Sequence, residues 1–185
     1  MEPKNLQQIY EANPESDKGT VHSYISYYEE SLKLYRHTAK KVLEIGVLDG
    51  GSTRLWKNYF DKAFIVGIDI SEHQQKEEDR ITYIKGDGYE FQYLDLFFDE
   101  EFDVIIDDGP HTLKSQLYFI LHWYSKLKPG GLMVVEDIQS DSDAVRLITL
   151  AQEKGYQAKL IDLRHVKGRY DDLILEIKKP MQCPE

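Results

Sequence analysis

Short apolar runs punctuate the chain at residues 42–47, 64–70, 81–85, 102–106 and 131–138, each bounded by glycine, aspartate or proline. Runs such as Val104-Ile105-Ile106 and Leu132-Met133-Val134-Val135 do not alternate with polar residues, as expected of strands covered on both faces. Between most of them lie segments that suit helices, at 52–60, 113–127 and 141–154. Strand–helix alternation with doubly covered strands predicts a parallel sheet between helical layers. Two more strand-like runs, 158–163 and 172–178, are joined by a polar link at 165–170 with no room for a helix. They are expected to form an antiparallel hairpin at one edge of the sheet.

Upstream, Val21, Tyr24, Ile25, Tyr28, Leu32, Leu34 and Tyr35 recur at helical spacing, predicting a helix over about 20–37. Residues 1–18 are polar and hold two prolines, so a loose N-terminal arm is expected before a single domain at 19–179 and a tail at 180–185.

Composition narrows the partners. Of 185 residues, 41% are hydrophobic, enough for a sizeable core, while 23 basic against 33 acidic residues leave a net charge of −10. So acidic a chain gains nothing from counterion release and is repelled by anionic lipid, which makes nucleic acid and membrane poor partners. The single cysteine, Cys183, excludes an intramolecular disulfide and a cysteine zinc cluster. No apolar run approaches a membrane span, and Met1-Glu2-Pro3-Lys4-Asn5 lacks a secretory start, so a cytoplasmic location is expected. Oligomeric state is not readable, and a homo-oligomer stays open.

The candidate chemistry sits where the strands end, which is where open parallel sheets bind ligands. After the first strand, Gly46-Val47-Leu48-Asp49-Gly50-Gly51-Ser52 supplies a turn that lets backbone approach a ligand and opens a helix N-terminus. Three residues separate Gly46 from Gly50, so this is not the dinucleotide spacing G-x-G-x-x-G. The second strand ends in Asp69, 23 residues after Gly46, where a carboxylate can meet ribose hydroxyls. Asp87 follows the third, placed either for an adenine amino group or as a helix cap. The fourth and fifth strands end in acidic doublets, Asp107-Asp108 and Glu136-Asp137. Side by side such groups repel unless a cation lies between them, and their hard oxygens suit Mg²⁺, Mn²⁺ or Ca²⁺ better than zinc. His111, beside these acids in sequence, is placed to take a proton from a hydroxyl near neutral pH.

Glu44-x-Gly46-x-x-x-Gly50-Gly51, Asp69, Asp87, the run Phe102 to Asp108 and Lys128-Pro129-Gly130-Gly131 together resemble class I S-adenosylmethionine-dependent methyltransferases. Three pieces are similar, more narrowly, to the metal-dependent sugar O-methyltransferases of macrolide and tetracenomycin biosynthesis and the related cephalosporin hydroxylase-like proteins. They are Asp17-Lys18-Gly19 with His22 and Tyr24, then Asp107-Asp108-Gly109-x-His111, then Val135-Glu136-Asp137. The resemblance covers about residues 16–140. It implies a doubly wound, Rossmann-like, seven-stranded and mostly parallel α/β sheet with the C-terminal hairpin.

For the site, the resemblance implies His111 as general base and Asp108, Glu136 and Asp137 as Mg²⁺ ligands. It implies Glu44, Gly46, Gly50, Ser52, Asp69, Asp87 and Asp107 on the side of S-adenosylmethionine, with Asp107 toward the cofactor's amino group. Pro110 departs from the small polar residue usual there and shapes the turn that aims His111. The expected reaction is methyl transfer to one hydroxyl of a vicinal diol in a sugar or sugar-bearing small molecule. A catechol-type acceptor, a nicotinamide-dependent oxidoreductase and a non-catalytic cofactor-binding module are the competing readings. The segment 167–172 is expected as a solvated hairpin loop, with closure over a substrate as the alternative.

Overall fold

A computed structural model describes residues 4–71 and 78–181; Cys183 and most of the expected tail lie outside the described residues. Seven strands form one sheet among the described residues: β1 (Lys41–Ile45), β2 (Phe64–Asp69), β3 (Ile81–Lys85), β4 (Phe102–Asp107), β5 (Leu127–Val135), β6 (Gln157–Asp162) and β7 (Leu173–Lys178). Their order is β3-β2-β1-β4-β5-β7-β6. The five strands from β3 to β5 pair in parallel, whereas β7 runs antiparallel to both β5 and β6. The expected hairpin is thus present, with β7 inserted beside β5 and β6 on the edge. The strand order reverses between β1 and β4, so their carboxyl ends leave a crevice open above the middle of the sheet.

Period-2 alternation within β4 shows why its residues are apolar without interruption. Val104 and Ile106 pack on one face with Val42, Leu132 and Trp56, while Ile105 packs on the other with Leu43, Met133 and Trp123. The first face is covered by α1 (Leu6–Ala12), α3 (Ile25–Leu32) and α4 (Gly51–Tyr59). The second is covered by α5 (Phe91–Asp95), α6 (Leu113–Trp123) and α7 (Asp141–Glu153). Two one-turn helices, α2 (Asp17–Thr20) and α8 (Arg164–Lys167), lie in the connections.

Three expectations change. The arm expected to be loose is helical over α1: Asn5 and Gln8 form a reciprocal capping box, and Leu6 and Tyr10 are buried in the core. The single helix expected over 20–37 is broken into α2 and α3 by a turn. Its helical spacing yields to polar tethers, because His22 and Tyr24 on that turn bond to acids at the strand tips. The link at 165–170 does hold a helical turn, α8, closed by Gly168 at φ +73°.

Candidate active site

The carboxyl ends of β1 to β4 open on a cleft of about 720 Å³. Its floor at β1 is Gly46, at φ +87°, where a Cβ would stand 1.8 Å from the carbonyl oxygen of Asp108. Only glycine lets the tips of β1 and β4 come this close. The turn continues through Leu48, at φ +47°, to Gly50, at φ +78°, the N-cap of α4. Asp69 braces this turn: Oδ2 accepts from the amides of Val47 (2.8 Å) and Leu48 (3.0 Å), and Oδ1 accepts from Ser71 N at 2.8 Å. Asp87 accepts from Tyr89 N at 2.9 Å. Gly46, Ser52, Asp69 and Asp87 line the cleft; Gly50, Glu44 and Asp107 do not.

Glu44 lies beneath the turn, fully buried, accepting from Ser52 Oγ at 2.7 Å and Trp56 Nε1 at 3.2 Å. Burial pushes its carboxyl up to about 7 against the opposing pull of Lys18. Asp107 is buried under Tyr89, whose hydroxyl donates to its Oδ1, while Oδ2 has no hydrogen-bond partner among the described residues. Burial likewise pushes Asp107 up to about 7.

Beyond β4 the cleft ends on an acid centre held together by side chains. Lys18 Nζ, buried, lies 2.7 Å from Asp108 Oδ2, 2.8 Å from both oxygens of Glu136 and 3.4 Å from Glu44 Oε1. Burial by itself would lower the Lys18 pKa, but these three acids outweigh it and hold the ammonium well above its usual range. Glu136 also accepts the Tyr28 hydroxyl, and burial raises its pKa strongly. Asp137 accepts the Tyr24 hydroxyl and is raised by burial and by Asp108. His111 Nε2 stands 3.4 Å from Asp137 Oδ2, and His22 Nδ1 stands 3.3 Å from Asp137 Oδ1.

Asp108, His111 and Asp137 each present a ligand atom, all within 4.8 Å of one another, and the two carboxylates among them offer the hard oxygens that a cation such as Mg²⁺ takes. Glu136 is not in that group; it meets Asp108 through Lys18. His111 and Asp137 both hold positive φ, +54° and +53°, a conformation that costs energy in a residue with a side chain. Two strained residues facing each other over one group of ligand atoms mark the place where the chain spends stability on geometry.

The fold therefore brings Asp108, His111 and Asp137 together on one side, with Gly46, Ser52, Asp69 and Asp87 around the same cleft. Sequence reading did not assign Lys18, Tyr28, Asp171 or Asp172 a place in the site. Lys18 lies in the Asp17-Lys18-Gly19 motif, the one signal that pointed to it. The loop expected to be solvated at 167–172 is so only in part: Lys167 and Tyr170 are exposed, but Asp171 and Asp172 are buried behind Asp137. The cause is polar tethering, since His22 Nδ1 pairs with Asp172 Oδ1 at 2.8 Å.

Residues 43–138, more than half of the chain, match the family described as methyltransferase domain. A tetracenomycin rhamnosyl 2'-O-methyltransferase of Streptomyces olivaceus is 34% identical over 134 residues, 68% of this chain and 35% of that protein. The mycinamicin VI 2''-O-methyltransferase of Micromonospora griseorubida is 34% identical over 129 residues, 65% of this chain and 32% of that protein. The chain thus spans about a third of the length of the curated relatives it matches. Among solved structures, the MycE methyltransferase of mycinamycin biosynthesis, in complex with Mg and SAH, superposes with a TM-score of 0.77 at 24% identity. That match covers 98% of this chain and 57% of MycE, and it extends the agreement in fold to nearly every residue. On the family match, this chain belongs to the methyltransferase-domain family.

Proposed function

We propose that the chain carries the catalytic domain of an S-adenosylmethionine- and Mg²⁺-dependent O-methyltransferase acting on one hydroxyl of a vicinal diol in a sugar or sugar-bearing small molecule. One observation carries the reading: Asp108 and His111 line the same cleft as Gly46, Asp69 and Asp87. A nucleoside-sized pocket and an acid–imidazole centre are then two ends of one space, as transfer between two bound molecules requires. Relatives named for 2'-O- and 2''-O-methylation of a rhamnosyl tetracenomycin and of mycinamicin VI support the acceptor class.

The cleft residues fit the cofactor, and the converging carboxylates of Asp108 and Asp137 fit the cation. Gly46, Ser52, Asp69 and Asp87 would hold S-adenosylmethionine, with Gly50 setting the turn, Glu44 anchoring Ser52 and Asp107 supporting Tyr89. Asp108 and Asp137 would hold the cation; Glu136, the third expected ligand, is engaged by Lys18 and Tyr28 and would have to exchange those contacts to join them. When bound, S-adenosylmethionine supplies an electrophilic methyl group and the cation lowers the pKa of a hydroxyl held beside it. His111 works as the base. Its Nε2 lies 3.4 Å from Asp137 Oδ2, and its imidazole would accept the acceptor's hydroxyl proton. Lys18 keeps Asp108 and Glu136 in place by binding both.

A small-molecule partner and a cytoplasmic location, without nucleic acid or membrane, belong to the same reading. Among the described residues, no helix is long and apolar enough to cross a membrane.

The test is thermal unfolding of EDTA-treated protein with S-adenosylhomocysteine, with NAD or with neither, each with and without Mg²⁺. A ligand at 100 times its Kd adds about 2.7 kcal/mol, roughly 5–11 °C for a domain of this size. The expected result is a shift with S-adenosylhomocysteine. A shift with NAD alone, or no shift with either ligand, overturns the reading.

A further inference from the structure

Behind Asp137 lies a second group of metal-ligating side chains that the proposed chemistry does not use. His22, Asp171 and Asp172 each present a ligand atom, and these atoms lie within 4.8 Å of one another. All three side chains are buried, with exposures of 5%, 5% and 0%. His22 Nδ1 is 2.8 Å from Asp172 Oδ1, and Arg169 donates to Asp171 Oδ2 at 2.7 Å. The other oxygens, Asp171 Oδ1 and Asp172 Oδ2, are buried with no hydrogen-bond partner among the described residues. An orphaned buried carboxylate oxygen is costly, and two on adjacent residues call for a water or an ion to satisfy them.

Charge favours the ion. Within the group itself, Asp171 and Asp172 place two carboxylates beside one guanidinium and one imidazole. The frame is also built in advance. Lys167 Nζ donates to the carbonyls of Gly19, Thr20 and His22, at 2.6, 3.2 and 2.8 Å, which clamps the link carrying Asp171 and Asp172 onto the turn carrying His22. The His22 ring is further fixed by stacking on Tyr24, with centroids 4.8 Å apart.

We propose that His22, Asp171 and Asp172 form a second divalent-cation site, separate from the Asp108 centre, for an ion that takes imidazole together with carboxylates, such as Mn²⁺ or Zn²⁺. Mg²⁺ and Ca²⁺ favour all-oxygen shells and fit this donor set less well. The ion ties residue 22 to residues 171–172 and seats His22 against Asp137, so it braces the active centre from behind. Because its ligands are distant in sequence, binding is coupled to folding.

The test is a Mn²⁺ titration of the metal-stripped full chain, with free ion followed by electron paramagnetic resonance. The expected count is two ions per chain: Asp172→Asn removes one, His22→Gln weakens it at least about tenfold, and Asp108→Asn removes the other. Binding that neither Asp172→Asn nor His22→Gln changes in number or affinity overturns the proposal. The arms separate the two readings: an ion lost in Asp172→Asn but none in Asp108→Asn sustains this site and sinks the proposed Asp108 centre. Should Asp172→Asn fail to fold, Co²⁺ added to the wild-type chain decides. Large contact shifts on the His22 ring protons are expected, and a His22 ring free of them overturns the site.

Discussion

The two ends of the cleft are built by different physics. The end at β1 to β3 is made of main chain: Gly46 and Gly50 set the turn, and Asp69 accepts two amides only 22 and 21 positions away. The end at β4 and β5 is made of side chains from distant segments: Lys18 meets Glu136 across 118 positions, and His22 meets Asp172 across 150. The first is local, half-exposed and inexpensive to disturb. The second is buried and charge-dense, so each member depends on its partners, since a buried charge that loses its counter-ion is strongly penalised. A binding surface tolerates local construction, while a centre that must hold several acids together needs the whole fold.

The largest expected effect is on chemistry. His111→Ala lowers kcat by roughly 10²–10⁴ while S-adenosylhomocysteine binding, read by calorimetry, stays unchanged. Turnover that survives in this variant removes His111 as the base and blurs the division between the two ends. Next comes stability. Lys18→Met leaves buried Glu44 and Glu136 and partly buried Asp108 without their ammonium and should cost about 3–5 kcal/mol in urea unfolding. A loss below 1 kcal/mol would show the acids relaxing independently, contrary to a centre held by one lysine.

A smaller effect depends on pH. Asp107 titrates near 7 folded, against its ordinary value of 3.8, so its contribution to stability is complete below about pH 4 and is lost as pH rises through 7. Asp107→Asn, which mimics the protonated acid, should therefore gain on the wild type by about 1–3 kcal/mol between pH 5 and pH 8. Parallel stability curves would mean that burial does not govern this carboxylate. Smallest of all is Asp69→Asn, which disturbs amide bonds at the half-exposed end. It should cost about 1 kcal/mol of stability and weaken S-adenosylhomocysteine more than it changes the fold. A larger loss of stability than that of Lys18→Met reverses the contrast.

Legibility in the sequence followed the same division. The strand tips at Asp69 and Asp107 are readable to within a residue because those apolar runs stop where the sheet stops, whereas the run 131–138 continues past the end of β5 at Val135; the glycine turn is readable because local conformation demands glycine. The chain 1–37 was misread in its boundaries. Its apolar spacing predicts one helix, yet the side chains of Lys18, His22 and Tyr24 are pulled onto acids 90 to 150 positions away, with Glu44 the one partner nearer in sequence. The burial of Asp171 and Asp172 was equally hidden, since a polar Asp-Asp pair between strands looks like solvated loop until β7 lies beside β5.

By itself, the sequence determined the layered α/β architecture, the end of the sheet where chemistry collects and the acids and histidine that stand there. These depend on periodicity and turn chemistry, which act within a few residues. Only the tertiary structure decided which charges face one another: that Lys18 holds Asp108 and Glu136, that His111 faces Asp137, and that His22 lies between Asp137 and Asp172. Coulomb energy depends on distance and burial, and neither exists until the chain has closed over itself.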